Sequence, residues 1–478
     1  MPAVAVPRAR FAPSPTGYLH VGSAQSALFN WLFARGSGGM LLLRIEDTDV
    51  ERNRPELAGN ILDMLQWLGI DWDGEPVHQS ERGEVYADAV RRLVESGRAY
   101  WCDCTREEIE GRSAARGGRP GYDGHCRDRR LGPGHGRALR FRTPDTGVTA
   151  WHDIVRGHVS FDNANIEDFV IMRSTGVPLF ILANAVDDAD MGITHVIRGE
   201  DHVNNTPKYL LLWQALAHGS PPAFAHLPLL VNEARKKLSK RRDDVSVAEY
   251  KDRGFLPEAM RNYLALLGWG PPDGVEIRPI EELVSLFHLE DVNPSPAFFD
   301  VTKLLHINGE YIRALPQDEF VDRAAEFLPP GDAPLQTLRA LAPVVQERVR
   351  TLAEVPEVLE FLWRDELEPD ADAWSRATRD DRAGPMLSAA LDRLDESEWH
   401  VADVEAAVRD AGAAAGFVNA EGKVQLAKAQ APVRVALTGR QVGLPLWESI
   451  VALGRERTRK RLNAASERLA AERGAPRG

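Results

Sequence analysis

The sequence predicts an α/β chain whose first half is a doubly wound parallel sheet split by an α/β insertion and whose second half is all-α. Three observations predict it. Apolar runs of strand length alternate with helical stripes at the start of the chain, the alternation resumes near residue 193, and past residue 245 it stops and helical segments dominate.

Arg10 to Gly22 reads as strand, turn and helix entry, with Pro13, Pro15 and Gly17 punctuating the turn. Ala24, Ala27, Leu28, Trp31 and Leu32 recur at i, i+3, i+4, i+7 and i+8, one apolar stripe of a helix that Gly36 is placed to end. Met40 to Ile45 is apolar except for Arg44 and suits a buried strand. Such a β-α-β unit implies a parallel sheet, whose ligand lies beyond the carboxyl ends of its strands.

In the second half, Ile193 to Ile197 reads as a strand, Thr206 as the cap of a helix opened by Pro207, and Leu227 to Val231 as another buried strand. Between the halves, an Arg-rich stretch from about Trp101 to Pro178 holds every cysteine and reads as an insertion in one nucleotide-binding sheet. Beyond Val245, Pro257 to Leu267 and the patterned tail Leu446 to Leu469 are helical, and Pro329-Pro330-Gly331 marks a joint.

The 478 residues suggest roughly three domains. With 44% hydrophobic and 27% charged residues the composition is that of a folded soluble protein, which excludes wholesale disorder and a fibrous chain. A net charge of -13 argues against coating nucleic acid over the whole surface. Three cysteines, Cys102, Cys104 and Cys126, do not make a secreted disulfide framework and fit a reducing cytosol. The start of the chain is too short and polar for a signal segment, and no apolar run is long enough to span a membrane, so a cytoplasmic protein with no membrane partner is expected.

Two constellations carry chemistry. Pro13 to Ser23 is a rigid turn feeding a helix start, where unpaired N–H groups and the helix dipole favour a phosphate. Gly22 there lets a nucleotide approach the backbone, and His20 is placed to donate to phosphate oxygens. Arg235 to Arg242 holds six cations in eight residues close after a predicted strand, and lysines on such a loop can stabilise the charge that builds at a phosphorus. Taken singly, the two read as a plain turn and a solvated basic loop. At strand ends of one sheet they point together to a nucleotide.

His20-Val21-Gly22-Ser23 resembles the His-Ile-Gly-His signature of class I aminoacyl-tRNA synthetases, and Lys237-Leu238-Ser239-Lys240-Arg241 resembles their Lys-Met-Ser-Lys-Ser signature. Arg10 to Gly17, Arg44 to Asp49, His195 to His202 and Arg434 to Arg440 resemble bacterial glutamyl-tRNA synthetases, so the resemblance spans nearly the whole chain. It implies activation of L-glutamate by ATP to glutamyl-adenylate, with release of pyrophosphate, and transfer to the 3′ end of tRNA(Glu). ATP would bring Mg²⁺.

By this resemblance His20, Lys237 and Lys240 are catalytic, and His20, Gly22, Ser23, Lys237, Ser239 and Lys240 bind ATP. Arg10, Ser14, Glu46, Phe180, Asn184 and Arg198 bind glutamate. The charges make chemical sense, because a substrate with two carboxylates and one ammonium needs two guanidinium groups and one carboxylate once water is excluded. The family usually has tyrosine where this chain has Phe180, which removes one donor from that pocket.

Three thiolates, Cys102, Cys104 and Cys126, can supply three of the four ligands of a tetrahedral Zn²⁺. Relatives with zinc carry histidine two residues after the third cysteine or tyrosine four before it, where this chain has Asp128 and Tyr122; His125 is a further candidate. Trp101 to Arg142 carries ten Arg against six acids, a patch suited to the phosphates of the tRNA acceptor end.

The implied domains are a Rossmann-type catalytic domain over 1–100 and 179–244, an acceptor-end-binding insertion over 101–178, a stem-contact domain over 245–328 and an α-helical anticodon-binding domain over 329–478, in a monomer. Two rival readings stand beside this one. A shorter relative that glutamylates the queuosine base of aspartate tRNA lacks the C-terminal half that follows the second signature here. A specialised or non-catalytic tRNA-binding paralogue gains weight from Phe180 and loses it from the retained His20, Lys237, Lys240, Arg10 and Arg198.

Overall fold

The computed structural model describes residues 6–48, 53–117, 121–238 and 246–474. The chain forms two compact units, one of Met1–Lys251 with Pro257–Ile307 and one of Asp252–Leu256 with Asn308–Gly478.

The first unit begins β1 (Arg8–Phe11), α1 (Val21–Gly36), β2 (Met40–Ile45), α2 (Pro55–Trp67), β3 (Val77–His78) and α3 (Gly83–Glu95). The insertion follows with β4 (Ala99–Cys102), α4 (Arg106–Arg116), β5 (Ala138–Phe141), β6 (Val148–Asp153), β7 (Gly157–Asp162) and β8 (Val170–Met172). The alternation then resumes as α5 (Phe180–Asp190), β9 (His195–Gly199), α6 (Thr206–Ala215), β10 (Ala223–Leu227) and β11 (Leu230–Val231).

β1 pairs in parallel with β2, and β2 with β3. On its other side β1 is joined to the start of β9, where the Thr194 N–H donates to the Arg8 carbonyl at 2.9 Å. β9 runs parallel to β10, and β10 touches β6 in parallel at Phe224 and Asp153. The order β3-β2-β1-β9-β10 is the doubly wound parallel sheet expected, and the chain reverses its winding between β1 and β9. That switch point opens a crevice beyond the carboxyl ends of the strands. The insertion adds the antiparallel trio β4-β5-β8.

Three local readings need correction. Leu227 closes β10 instead of opening a strand to Val231, because Pro228 has no N–H for the ladder, and β11 resumes against Ala297–Phe298. Thr206 is the first residue of α6, not its cap; the cap position falls to Asn205, and the Thr206 hydroxyl accepts from Arg198 Nη2 at 2.9 Å. The tail from Leu446 is two helices, Leu446–Leu453 and Arg455–Gly474, since Gly454 between them takes φ +82°, a conformation that suits glycine.

The described part of the second unit is built of helices, as the sequence predicts for this half. Its core gathers Leu338, Val345, Met386, Val408, Val433, Ile450 and Leu462, all fully buried. The Arg461 guanidinium donates to the carbonyls of Leu437, Phe361 and Arg364 at 2.6 to 2.7 Å, supplying donors that peptide groups near helix ends lack.

Candidate active site

Parallel pairing places the penultimate residues of β1 and β9, Arg10 and Arg198, beside the residue that follows β2, Glu46. All three line one cleft of about 310 Å³ at the carboxyl ends of the strands. Ser14, Asn184, His20, Gly22, Ser23 and Lys237 line the same cleft, so residues spread from 10 to 237 converge as the sequence reading requires. Ser239 and Lys240 lie outside the described residues.

His20 is the N-cap of α1. Its Nδ1 accepts the N–H groups of Gly22 at 3.0 Å and Ser23 at 3.4 Å. Nδ1 therefore carries no proton and Nε2 does; this N–H lies 3.4 Å from Ser23 Oγ on the cleft side of the ring. The close approach at Gly22 is made by His20 itself: a Cβ there would sit 2.9 Å from the ring carbon Cε1. Glycine is needed so that the ring can fold back over the helix start.

The guanidinium groups differ in partnership. Arg10 Nε lies 3.2 Å from Asp188 Oδ1, and Arg44, with no solvent exposure, donates to the same oxygen at 2.6 Å. Arg198 makes no salt bridge among the described residues. Its Nε donates to His226 Nε2 at 3.3 Å and its Nη2 to Thr206 Oγ1. Burial, with the nearby charge of Arg10, lowers Arg198 to about 10. Asp188 and Glu46 offset its charge only from a distance, and a buried cation whose hydrogen-bond partners among the described residues are neutral can take an anion from outside.

Glu46 is pushed up by burial, against the pull of Arg44, Arg10 and a hydrogen bond from Asn184. Ser14 Oγ lies 3.5 Å from Glu46 Oε2, and Asn184 Oδ1 accepts from Arg44 Nη2 at 2.6 Å. A carboxylate disfavoured by burial is stabilised when an ammonium arrives beside it. At the other end of the cleft Lys237 Nζ lies 3.0 Å from Asp201 Oδ2. Burial raises Asp201, but the Lys237 ammonium outweighs it and holds the carboxyl below the usual range.

Phe180 stands apart from this cleft. It is the first residue of α5, 37% exposed, and lines a neighbouring recess with Ser14, Glu46 and His202, its ring meeting His202 edge-on.

In the insertion, the Sγ atoms of Cys102, Cys104 and Cys126 lie within 4.8 Å of one another. Tyr122 Oη is 3.5 Å from Cys102 Sγ and accepts the Cys126 N–H at 2.8 Å. Arg112 and Arg129 donate to Cys104 and Cys126, each at 3.2 Å, while burial and the neighbouring Cys126 push the Cys104 thiol up to about 12. Asp128 is exposed and faces Arg142, and His125 is no member of the cluster among the described residues. Of the ten arginines counted there, Arg106, Arg112, Arg127, Arg129 and Arg142 pair with acids of the same insertion, so its charge excess is partly spent internally.

Sequence reasoning missed the buried groups behind the cleft: Arg44, Asp187, Asp188, Asp153 and His226. The available signal was charge inside apolar runs, Arg44 within Met40 to Ile45 and the pair Asp187-Asp188 after Ile181 to Val186.

Fold and site together define a class I aminoacyl-tRNA synthetase: residues 6–306 match the family model of class I tRNA synthetases (E and Q), catalytic domain, and residues 319–466 match the anticodon binding domain model. Similar proteins include the glutamate–tRNA ligases of Frankia casuarinae and Thermobifida fusca, each 52% identical over 97% of this chain and 98% of its own length. Among solved structures, a glutamate tRNA ligase from Elizabethkingia meningosepticum, in complex with its amino acid, superposes with TM-score 0.82 at 28% identity, covering 97% of this chain and 99% of its own. The chain belongs to the glutamate–tRNA ligase family.

Proposed function

We propose that the cleft activates L-glutamate with ATP and that the chain passes the glutamyl group to the 3′ end of tRNA(Glu), releasing pyrophosphate in the first step. The observation that carries this reading is Arg198, a buried cation facing the cleft with no salt bridge among the described residues. Arg198 and Arg10 pair the two substrate carboxylates, and Glu46, with Ser14 and Asn184 around it, takes the ammonium. No protein nucleophile is needed, because the substrate carboxylate attacks the α-phosphorus and pyrophosphate leaves. The chain's part is to hold the partners in line and neutralise charge.

His20 Nε2–H and Lys237 are assigned to phosphate oxygens, with Lys240 acting beside Lys237 on the strength of its place in the signature. Mg²⁺ arriving with ATP would offset the charge of the phosphates beside His20 and Lys237. Phe180 borders the amino-acid side through Ser14 and Glu46.

The cysteine cluster fits zinc in donor type and spacing, and Tyr122 is the fourth ligand we assign in preference to Asp128. Bound there, zinc would cross-link two ends of the insertion. We assign 101–178 to the acceptor end, 245–328 to the tRNA stem and 329–478 to the anticodon, in a cytoplasmic monomer. Among the described residues no helix is long and apolar enough to cross a membrane. Glutamate-dependent exchange of pyrophosphate into ATP, with and without tRNA, tests the reading; exchange supported by another amino acid and not by glutamate would contradict it.

A further inference from the structure

Behind Arg198 lies a second pair of groups that touches neither the cleft nor its substrates. The parallel register sets His226 of β10 directly beside Arg198 of β9, so both side chains leave the sheet on one face. His226 has no solvent exposure, and its Nε2 receives the Arg198 Nε–H at 3.3 Å. Its Nδ1 is bonded to Asp153 Oδ2, and Asp153, also fully buried, closes β6. The second oxygen, Oδ1, accepts three backbone N–H groups, those of His226 at 3.1 Å, Val155 at 3.2 Å and Arg156 at 3.1 Å.

A neutral imidazole offers one acceptor and one donor, and its partners decide which nitrogen is which. Asp153 is an acceptor, so Nδ1 carries the proton and Nε2 presents its lone pair to Arg198 Nε, with Thr206 Oγ1 3.0 Å from the same nitrogen. We infer that Asp153 and His226 are positioning residues for the amino-acid site: the carboxylate selects the histidine tautomer that accepts from Arg198 Nε, which, with Thr206 holding Nη2, fixes the plane of the guanidinium that meets the substrate carboxylate. This rests on the assignment of Arg198 to glutamate.

The arrangement makes Asp153→Asn a sharp probe. Three backbone donors hold the amide oxygen at the Oδ1 place, so the amide nitrogen must face His226 Nδ1. The imidazole then has to accept at Nδ1 and carry its proton on Nε2, against the Arg198 N–H. In His226→Gln an amide oxygen can accept from Arg198 and there is no tautomer to select.

The test is the steady-state charging of tRNA(Glu), with KM for glutamate, KM for ATP and kcat measured in parent, Asp153→Asn, His226→Gln and the double variant. Asp153→Asn should raise glutamate KM about tenfold or more with ATP KM within about threefold, because only the amino-acid side loses its oriented cation. His226→Gln should stay within about threefold of the parent, and adding Asp153→Asn to it should cost no more than about a further twofold. An equal penalty in both backgrounds, or none in the parent, overturns the inference. If Asp153→Asn does not fold, His226→Leu against His226→Gln carries the same test: glutamate KM raised about tenfold by the hydrocarbon and not by the amide supports it, and equal values overturn it. Arg198→Ala separates the two levels, since an unchanged glutamate KM there removes the amino-acid assignment as well, whereas a raised one with a silent Asp153→Asn removes the positioning alone.

Discussion

Arg44 Nη1 lies 2.6 Å from Asp188 Oδ1, and neither side chain has any contact with solvent. The same Asp188 oxygen receives Arg10 Nε at 3.2 Å, so one buried carboxylate anchors a cation of the core and a cation of the cleft. Burial raises Asp188, yet Arg10 and Arg44 together outweigh it and hold the carboxyl below its usual range.

Replacing Arg44 with Met should therefore destabilise the first unit by about 3–5 kcal/mol, because a buried ion pair broken on one side leaves an uncompensated charge. Urea unfolding reads this as a lower midpoint, and an unchanged midpoint would refute it. Glutamate KM should rise in the same variant, since Arg10 would be drawn fully onto Asp188.

Acid should weaken the fold well above the carboxylate range. Burial, and then the nearby Arg198, lowers His202 to about 4 from 6.5. Below pH 6.5 the unfolded chain binds a proton there that the folded chain refuses until about pH 4, so stability falls as pH drops through that window. The largest effect of this one group is about 3 kcal/mol. His202→Gln should flatten the pH dependence of the urea midpoint between pH 6.5 and 4; an identical slope in parent and variant would exclude His202 as a cause.

The sheet was legible because its signals are local: Met40 to Ile45 announces a buried strand by composition. Arg10, Glu46 and Arg198 came from the family resemblance, and the fold sets them at strand ends where a parallel sheet binds its ligands. The supporting network was not legible, because its meaning lies in partners far apart in the chain. Arg44 and Asp188 are 144 residues apart, and Asp153 and His226 are 73 apart. Each reads alone as a stray charge in an apolar run, and only the fold shows what neutralises it. Thr206 was misread for a related reason: its hydroxyl serves the neighbouring strand's arginine in place of its own helix end.

The purified protein should carry about one zinc per chain, and Cys102→Ser or Cys126→Ser should lose it, since three thiolates with a closing fourth group make a structural site. Tyr122→Phe should weaken retention against a chelator, whereas Asp128→Asn should not, because Tyr122 borders the thiols and Asp128 faces Arg142. Metal analysis after dialysis decides it. Equal loss in both variants would remove Tyr122 from the site.

Phe180→Tyr should lower glutamate KM by roughly twofold to tenfold, the worth of one hydrogen bond of about 0.5–1.5 kcal/mol. The ring is partly exposed beside Ser14 and Glu46, so a hydroxyl is not forced into an apolar core and the melting temperature should hold. A raised KM with a lower melting temperature would point to a pocket rebuilt away from glutamate.

The most direct test of the whole account is the kcat/KM for glutamate in Arg198→Ala and Arg10→Ala, measured by charging of tRNA(Glu). Each variant should lose about 2–5 kcal/mol of glutamate recognition, roughly thirtyfold to several thousandfold, because a substrate carboxylate would lose its charge-assisted partner in a water-poor site. KM for ATP should stay within about threefold, since neither arginine is assigned to phosphate. Unchanged kcat/KM for glutamate in both variants, or a loss confined to ATP, would contradict the assignment of this cleft to the amino acid.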